Sequence, residues 1–350
     1  MLPYWTLFVT LAVGGLFGQP NLSGTPPKRD YYFLLAMILI ALMIGTRFQV
    51  GADWNAYRGM FTDAGRFSLS QQFNIGDPGY QALNWYIKRG GGELWMVNLV
   101  CGTLFAWGLY RLARAQPEPW LAALVAFPYL VVVVAMGYSR QGTAIGILMA
   151  ALAGLSKGGS TTRFLLYVAV AASFHRTAVI LVPLALFGAQ KSRVVNLLLV
   201  LVFGYSIYIT FLSNGLDNLV AEYSGTQFSS QGAAIRVSMI VIPAVIFFLA
   251  KGQMLFDPLE QRMWRNFSVA SLITLMALLV LSSSSTAVDR VALYLLPLQI
   301  AIVSRVPVWG RANISMRVLV IVYSAAILFV WLNFADNSRS WVPYKSFMWS

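Results

Sequence analysis

Charge is scarce in this chain. Of its 350 residues only 11% are Asp, Glu, Lys or Arg, against roughly 25% in a soluble domain. A hydrophobic content of 58% and a mean hydropathy of +0.68 exclude a soluble enzyme and a disordered chain. They leave a polytopic membrane protein. The one cysteine, Cys101, lies in an apolar run, so no disulfide, CxxC pair or thiolate metal site forms within the chain. The one histidine, His175, excludes a multi-histidine metal centre. Walker A, GxSxG and HExxH motifs are missing, as are paired carboxylates at metal-binding spacing. ATP hydrolysis, serine hydrolysis and zinc chemistry therefore have no support. No repeat period recurs, which excludes a repeat array. Acids number 12 against 25 Lys and Arg. In so apolar a chain, that excess fits positively charged cytoplasmic loops and anionic lipid, not nucleic acid.

What is present is a series of apolar runs. The first, Leu2 to Gly18, lacks a basic flank and reads as a retained helix, not a signal peptide. Others lie near 31–46, 94–110, 119–137, 142–156, 164–188, 194–212, 234–250, 267–282, 291–304 and 318–335. At roughly 20 residues per crossing, a dozen crossings leave about 110 residues for connections. Residues 1–350 then form a single integral-membrane domain, with long connections at 47–92, 212–233 and 251–266.

The run 164–188 decides the topology. It is either one helix with His175-Arg176 at its centre or two short helices meeting at that pair. A broken hairpin puts 14 of the Lys and Arg on one face with a net charge of +10, and leaves +3 opposite. A continuous helix splits them 10 and 15, and early and late loops then disagree. The positive-inside rule favours the hairpin. The expected fold is an all-α polytopic membrane protein with about 12 transmembrane segments and a broken helical hairpin around 164–188. Both termini, 47–92 and 212–233 are then outside (periplasmic), and 251–266 is cytoplasmic. His175-Arg176 sits in a cavity open to the outer face, where irregular backbone at membrane depth is tolerated.

That outer face carries an unusual set of arginines, including Arg47, Arg140, Arg176, Arg236 and Arg290. Each either pairs with a nearby acid such as Asp53, Asp63, Asp77 or Asp289, or forms part of a site for an anion. Guanidinium forks suit phosphate and carboxylate. Four stretches stand out. In Arg47-Phe48-Gln49-Val50-Gly51-Ala52-Asp53, Gly51 permits a tight turn, and Asp53 is either a helix N-cap or a general base. In Ser173-Phe174-His175-Arg176-Thr177, the histidine is either a satisfied core residue or a proton-transfer group beside an anion. Gly137 to Gly146 holds Arg140-Gln141 among small residues that also suit close helix packing. Asp289-Arg290 is either an internal ion pair or part of the site. Trp54, Tyr57, Tyr80 and Trp85 are interfacial belt residues or stacking platforms for sugar rings.

Taken in order, these stretches resemble the Wzy/EpsG-type membrane polymerases of bacterial polysaccharides, which assemble O-antigen or exopolysaccharide repeat units. The matching residues are Arg47, Val50-Gly51-Ala52-Asp53 and Tyr57; Arg140-Gln141-Gly142-Thr143-Ala144; Phe174-His175-Arg176-Thr177; Asp289-Arg290 with Tyr294; and Pro343-Tyr344. The resemblance implies a GT-C-like glycosyltransferase of the bacterial inner membrane, with its active site facing the periplasm. Such an enzyme transfers a glycan from undecaprenyl pyrophosphate onto the non-reducing end of another lipid-linked repeat unit, by inversion. It implies no metal and no cofactor, and a partner protein that sets chain length. It points to His175 or Asp53 as the base. Arg47, Tyr57, Arg140, Gln141, Arg176, Arg236, Arg290 and Tyr344 would hold pyrophosphate and glycan. The alternatives are a flippase or transporter for lipid-linked oligosaccharide, a related glycan ligase, and a membrane acyltransferase.

Overall fold

The computed structural model describes residues 1–21, 30–186, 232–280, 285–309 and 313–349, with a few positions between 194 and 205. The expected crossing near 194–212 and the loop 212–233 lie almost wholly outside the described residues. Among the described residues the chain is helical without a β-strand, save one antiparallel bridge between Arg47 and Ser346.

Helices α1 (Leu2–Phe17) and α2 (Tyr31–Gly45) come first. The connection 47–92 folds into three short helices, α3 (Trp54–Ala64), α4 (Leu69–Ile75) and α5 (Pro78–Arg89). Local chemistry sets their ends. Ser68 and Gln71 form a reciprocal capping box at α4, and Pro78 opens α5, where its missing N–H costs nothing. Next come α6 (Leu94–Arg114) and α7 (Pro119–Ala126), which widens into π-helical turns over Phe127–Ala135. Pro128 is the second residue of the wide turns, and its ring would clash with the carbonyl four residues back in a regular helix.

Helices α8 (Ser139–Ser156) and α9 (Thr161–Phe174) follow. The helix breaks at His175, which is extended at φ −157° and ψ 111°. A 3₁₀ turn, Arg176–Ile180, and α10 (Leu181–Leu186) continue the chain. After the undescribed stretch come α11 (Ala233–Ala250), α12 (Pro258–Val280), α13 (Ser285–Leu295), α14 (Pro297–Val303), α15 (Val306–Trp309) and α16 (Ile314–Phe334).

Among the described residues four helices are long and apolar enough to cross a bilayer, and a fifth if the pair bent by 40° at Leu296 is one span. Five further apolar helices have 10–17 residues, shorter than the roughly 20 residues of a full crossing. The outward faces of α2 and α16 carry exposed Leu34, Leu35, Ile38, Leu319, Val322 and Phe329, an apolar surface suited to lipid.

Helices α6 and α8 meet through glycine. A Cβ on Gly108 would lie 1.7 Å from the Gly146 carbonyl oxygen, and one on Gly146 would lie 2.4 Å from the Phe105 Cα. The small residues after Arg140 therefore serve backbone approach. Helix α8, at 18 residues, is about 27 Å long and separates two ends of the bundle. At its C-terminal end, Arg317 donates to the Leu16 and Gly18 carbonyls and pairs with Glu118 at 2.7 Å. Lys157 lies 4.0 Å from Asp257 at the same end. Early and late loops thus share one end, the arrangement that the charge count of a broken hairpin requires.

Candidate active site

At the N-terminal end of α8 lies a cavity of about 1420 Å³. Its walls come from α3, the start of α5, the first turn of α8, the break at His175, α11, α13 and the last turns of α16.

Asp77 organises one wall. It stands at the N-cap position of α5 but makes no cap hydrogen bond there. Its carboxylate instead accepts from Arg140 Nη1 at 2.9 Å and from the Arg176 backbone N–H at 3.2 Å. It also faces His175 Nδ1 at 3.5 Å, a long contact. Burial alone would raise the Asp77 carboxyl, but His175, Arg140 and the Arg176 N–H outweigh it and hold the group below its usual value. A carboxylate on the Nδ1 side favours the tautomer with Nδ1–H and leaves Nε2 as the basic nitrogen. The imidazole stacks on Tyr294, ring centroids 6.4 Å apart, and the Tyr294 hydroxyl is 3.1 Å from Thr177 Oγ1.

Gly79 makes this proximity feasible. A Cβ there would lie 2.3 Å from Ser173 Oγ and 3.0 Å from the Ser173 carbonyl oxygen. With glycine, the start of α5 closes onto the end of α9 and brings Asp77 to His175.

Asp53 lies half-buried on the same cavity, at the N-cap position of α3 but without a cap hydrogen bond. Its side chain is therefore not spent on the helix end. Burial pushes its carboxyl up, against the pull of Arg140 and Arg290. Gly51 makes the expected tight turn before it, at φ +106°. Tyr57 is buried beside Arg140 and packs edge-on against Tyr80.

Across the cavity, Arg236 of α11 pairs with Asp289 of α13, and Tyr129 borders the cavity beside them. Gln141 donates to the Arg290 carbonyl at 3.3 Å and so ties α8 to α13. Arg176 and Arg290 are exposed on the cavity wall. The cavity is thus not simply cationic: Arg140, Arg176, Arg236 and Arg290 face Asp53, Asp77, Asp289 and Asp336. Arg140 and Arg236 are paired with the buried acids Asp77 and Asp289.

Eight of the ten expected site residues, His175, Asp53, Tyr57, Arg140, Gln141, Arg176, Arg236 and Arg290, border this cavity. Arg47 and Tyr344 do not. The Arg47 guanidinium folds back into the protein and donates to the Ile44 carbonyl at 2.6 Å, Asn98 Oδ1 at 3.1 Å and Ser139 Oγ at 2.7 Å. It fastens the ends of α2, α6 and α8 and reaches the cavity only through Ser139, the neighbour of Arg140. The Tyr344 hydroxyl donates to the Met43 carbonyl at 2.9 Å, and its ring packs edge-on against Tyr4. Tyr57 is the one cavity residue among the four aromatic candidates; Trp54, Tyr80 and Trp85 do not border it. Sequence reasoning took Asp77 only as a counter-charge. Its Gly-Asp-Pro-Gly setting reads as a helix start, and that setting hides the site role.

Among the described residues no three His, Cys, Asp or Glu side chains gather as a metal site. Helices of membrane length, buried arginine–carboxylate pairs and a histidine at a break in a helix define a polytopic membrane protein with a charged cavity at one end. The chain belongs to the EpsG family, whose model matches residues 30–346, nearly all of it. Membership suggests a role in polysaccharide polymerisation. No curated protein and no solved structure matches the chain.

Proposed function

We propose that the chain is a repeat-unit polymerase, a membrane glycosyltransferase that works in the outer leaflet of the bacterial inner membrane within a twelve-segment, GT-C-like fold. The acceptor is the non-reducing-end sugar of a lipid-linked repeat unit. Its hydroxyl oxygen attacks the anomeric carbon of a glycan held on undecaprenyl pyrophosphate. The carbon–oxygen bond to pyrophosphate breaks, and the configuration inverts.

The observation that carries this reading is the Asp77 cluster, which links a histidine to two arginine segments on one cavity wall. His175, oriented by Asp77, takes the hydroxyl proton at Nε2; such general-base help contributes about 10²–10⁴-fold. Arg176 and Arg290 meet the pyrophosphate, whose charge grows as the bond breaks, and fixed cations there lower the barrier without a divalent metal. Arg140 and Arg236, held by their aspartates, keep the wall in shape. Asp53, on the same cavity and within the electrostatic pull of Arg140 and Arg290, is their counter-charge. The exposed apolar residues Ile235 of α11 and Phe334 of α16 border the cavity, which supports entry of polyprenyl chains from the lipid between these helices.

The test is to purify the protein in detergent, add its lipid-linked repeat unit and resolve products by size. A ladder of repeat multiples is expected. A single unchanged band, from substrate that an independent polymerase extends, would overturn the reading in favour of a flippase.

A further inference from the structure

Near the candidate active site, where Arg47 binds Ser139 at the start of α8, lies a smaller pocket of about 310 Å³. The rings of Phe48, Trp54, Trp95 and Phe347 form much of its wall. We propose that this pocket is a carbohydrate subsite, which holds sugar residues of the glycan away from the reacting ends. The inference rests on the polymerase reading for its glycan and adds a second place of contact.

Three observations converge on it. First, flat apolar rings share one wall with exposed polar side chains. Gln49, Arg58 and Glu93 line the pocket and are exposed. Glu93 stands at the N-cap position of α6 but makes no cap hydrogen bond. Ring faces suit the C–H face of a sugar, and an amide, a guanidinium and a carboxylate suit its hydroxyls, which both donate and accept. A belt of interfacial aromatics needs no concavity with such groups inside it. Second, the backbone of Gln49 is left-handed, at φ +52°, a region that favours glycine. An exposed amide side chain is thus kept where glycine would fit with less strain, as at a ligand clamp. Third, the wall is set in advance and shares a helix with the active site. The Phe347 N–H donates to the Thr46 carbonyl at 2.7 Å, and the Phe48 N–H to the Lys345 carbonyl at 3.0 Å. Trp95 stacks on Phe347 with ring centroids 5.4 Å apart. Rings held this way lose little freedom when a ligand binds. Trp54 and Arg58, one turn apart on α3, line this pocket, whereas Asp53 and Tyr57 line the larger cavity. A glycan that leaves the active site across α3, about 10 Å wide, meets these rings.

The test measures binding without turnover. The repeat-unit oligosaccharide is freed from its lipid pyrophosphate by mild acid, labelled with a fluorophore at its reducing end, and titrated with the protein in maltoside micelles. Fluorescence anisotropy should report saturable binding. Trp95→Leu should weaken it about tenfold. Gln49→Gly should weaken it about fivefold, the loss of a hydrogen bond or two. Its melting temperature should equal or exceed that of the wild type, because glycine relieves the left-handed position; a side chain that served only the fold would give a lower one. Absence of binding by the wild type overturns the proposal. So does wild-type affinity in either folded variant. Ladder formation reports on the polymerase reading separately. A chain that makes a ladder while both variants bind as the wild type does keeps that reading and removes this subsite. A chain that makes no ladder but loses binding in the variants does the reverse.

Discussion

Replacing Asp77 by Asn separates catalysis from stability at this site. The substitution keeps the side-chain volume and one carbonyl oxygen, so the Arg176 N–H keeps an acceptor. It removes the charge that faces Arg140 at 2.9 Å. A hydrogen bond between charged groups is worth about 1.5–3 kcal/mol. The Arg140 side chain is 31% exposed, so solvent screening reduces the loss to about 1–2 kcal/mol. The effect on His175 is larger. The Asn amide turns its NH₂ toward Nδ1, which favours the tautomer with Nε2–H and removes the lone pair that would take the hydroxyl proton. The turnover rate should fall by about 10²-fold or more, with KM for the lipid-linked donor nearly unchanged. Initial rates of ladder formation, with thermal unfolding of the same preparation, give both numbers. A variant that keeps its fold and turns over within about threefold of the wild type would refute the role given to the Asp77–His175 pair.

Five other outcomes follow from the geometry. Gly79→Val should push α5 off Ser173, separate Asp77 from His175 and cost rate well before it costs stability, as read by the same two assays. Gly146→Leu should lower stability by about 3 kcal/mol or prevent folding, because overpacking here meets the Phe105 backbone; monodispersity in detergent and melting temperature report it. Arg290→Gln should weaken binding of the pyrophosphate-linked donor about tenfold with little change in melting temperature, whereas Arg47→Met should mainly lower stability, by about 2–4 kcal/mol, through its three lost hydrogen bonds. The depressed Asp77 carboxyl stabilises the fold above the unfolded-chain carboxylate value, and that stability disappears as pH falls through its lower folded value. Melting temperature measured downward from about pH 5 should therefore fall, with a component that Asp77→Asn lacks.

Much of this was legible in the sequence because it depends on local pattern. Apolar runs marked the helices, and the split of Lys and Arg between faces separated a break at His175 from a continuous helix. Four short charged or polar stretches, far apart in the chain, supplied most of the charged residues of the cavity wall. What stayed hidden depends on where side chains turn after the chain folds. Arg47 adjoins an apolar run as Arg290 does, yet one points into the protein and the other into the cavity. Nothing in the order of residues distinguishes them, because Asn98 and Ser139, which capture Arg47, come from other helices. Asp77 was masked by its proline, which makes it look like a helix cap. The number of crossings was equally out of reach, since several helices are shorter than a bilayer and their depth depends on packing.

The most direct test of the account is polymerisation by the purified protein in EDTA, with wild type and His175→Ala side by side. The account predicts an undiminished wild-type ladder and a folded His175→Ala variant that makes none at comparable times. A wild-type ladder that disappears with EDTA, or a His175→Ala ladder at the wild-type rate, would contradict it.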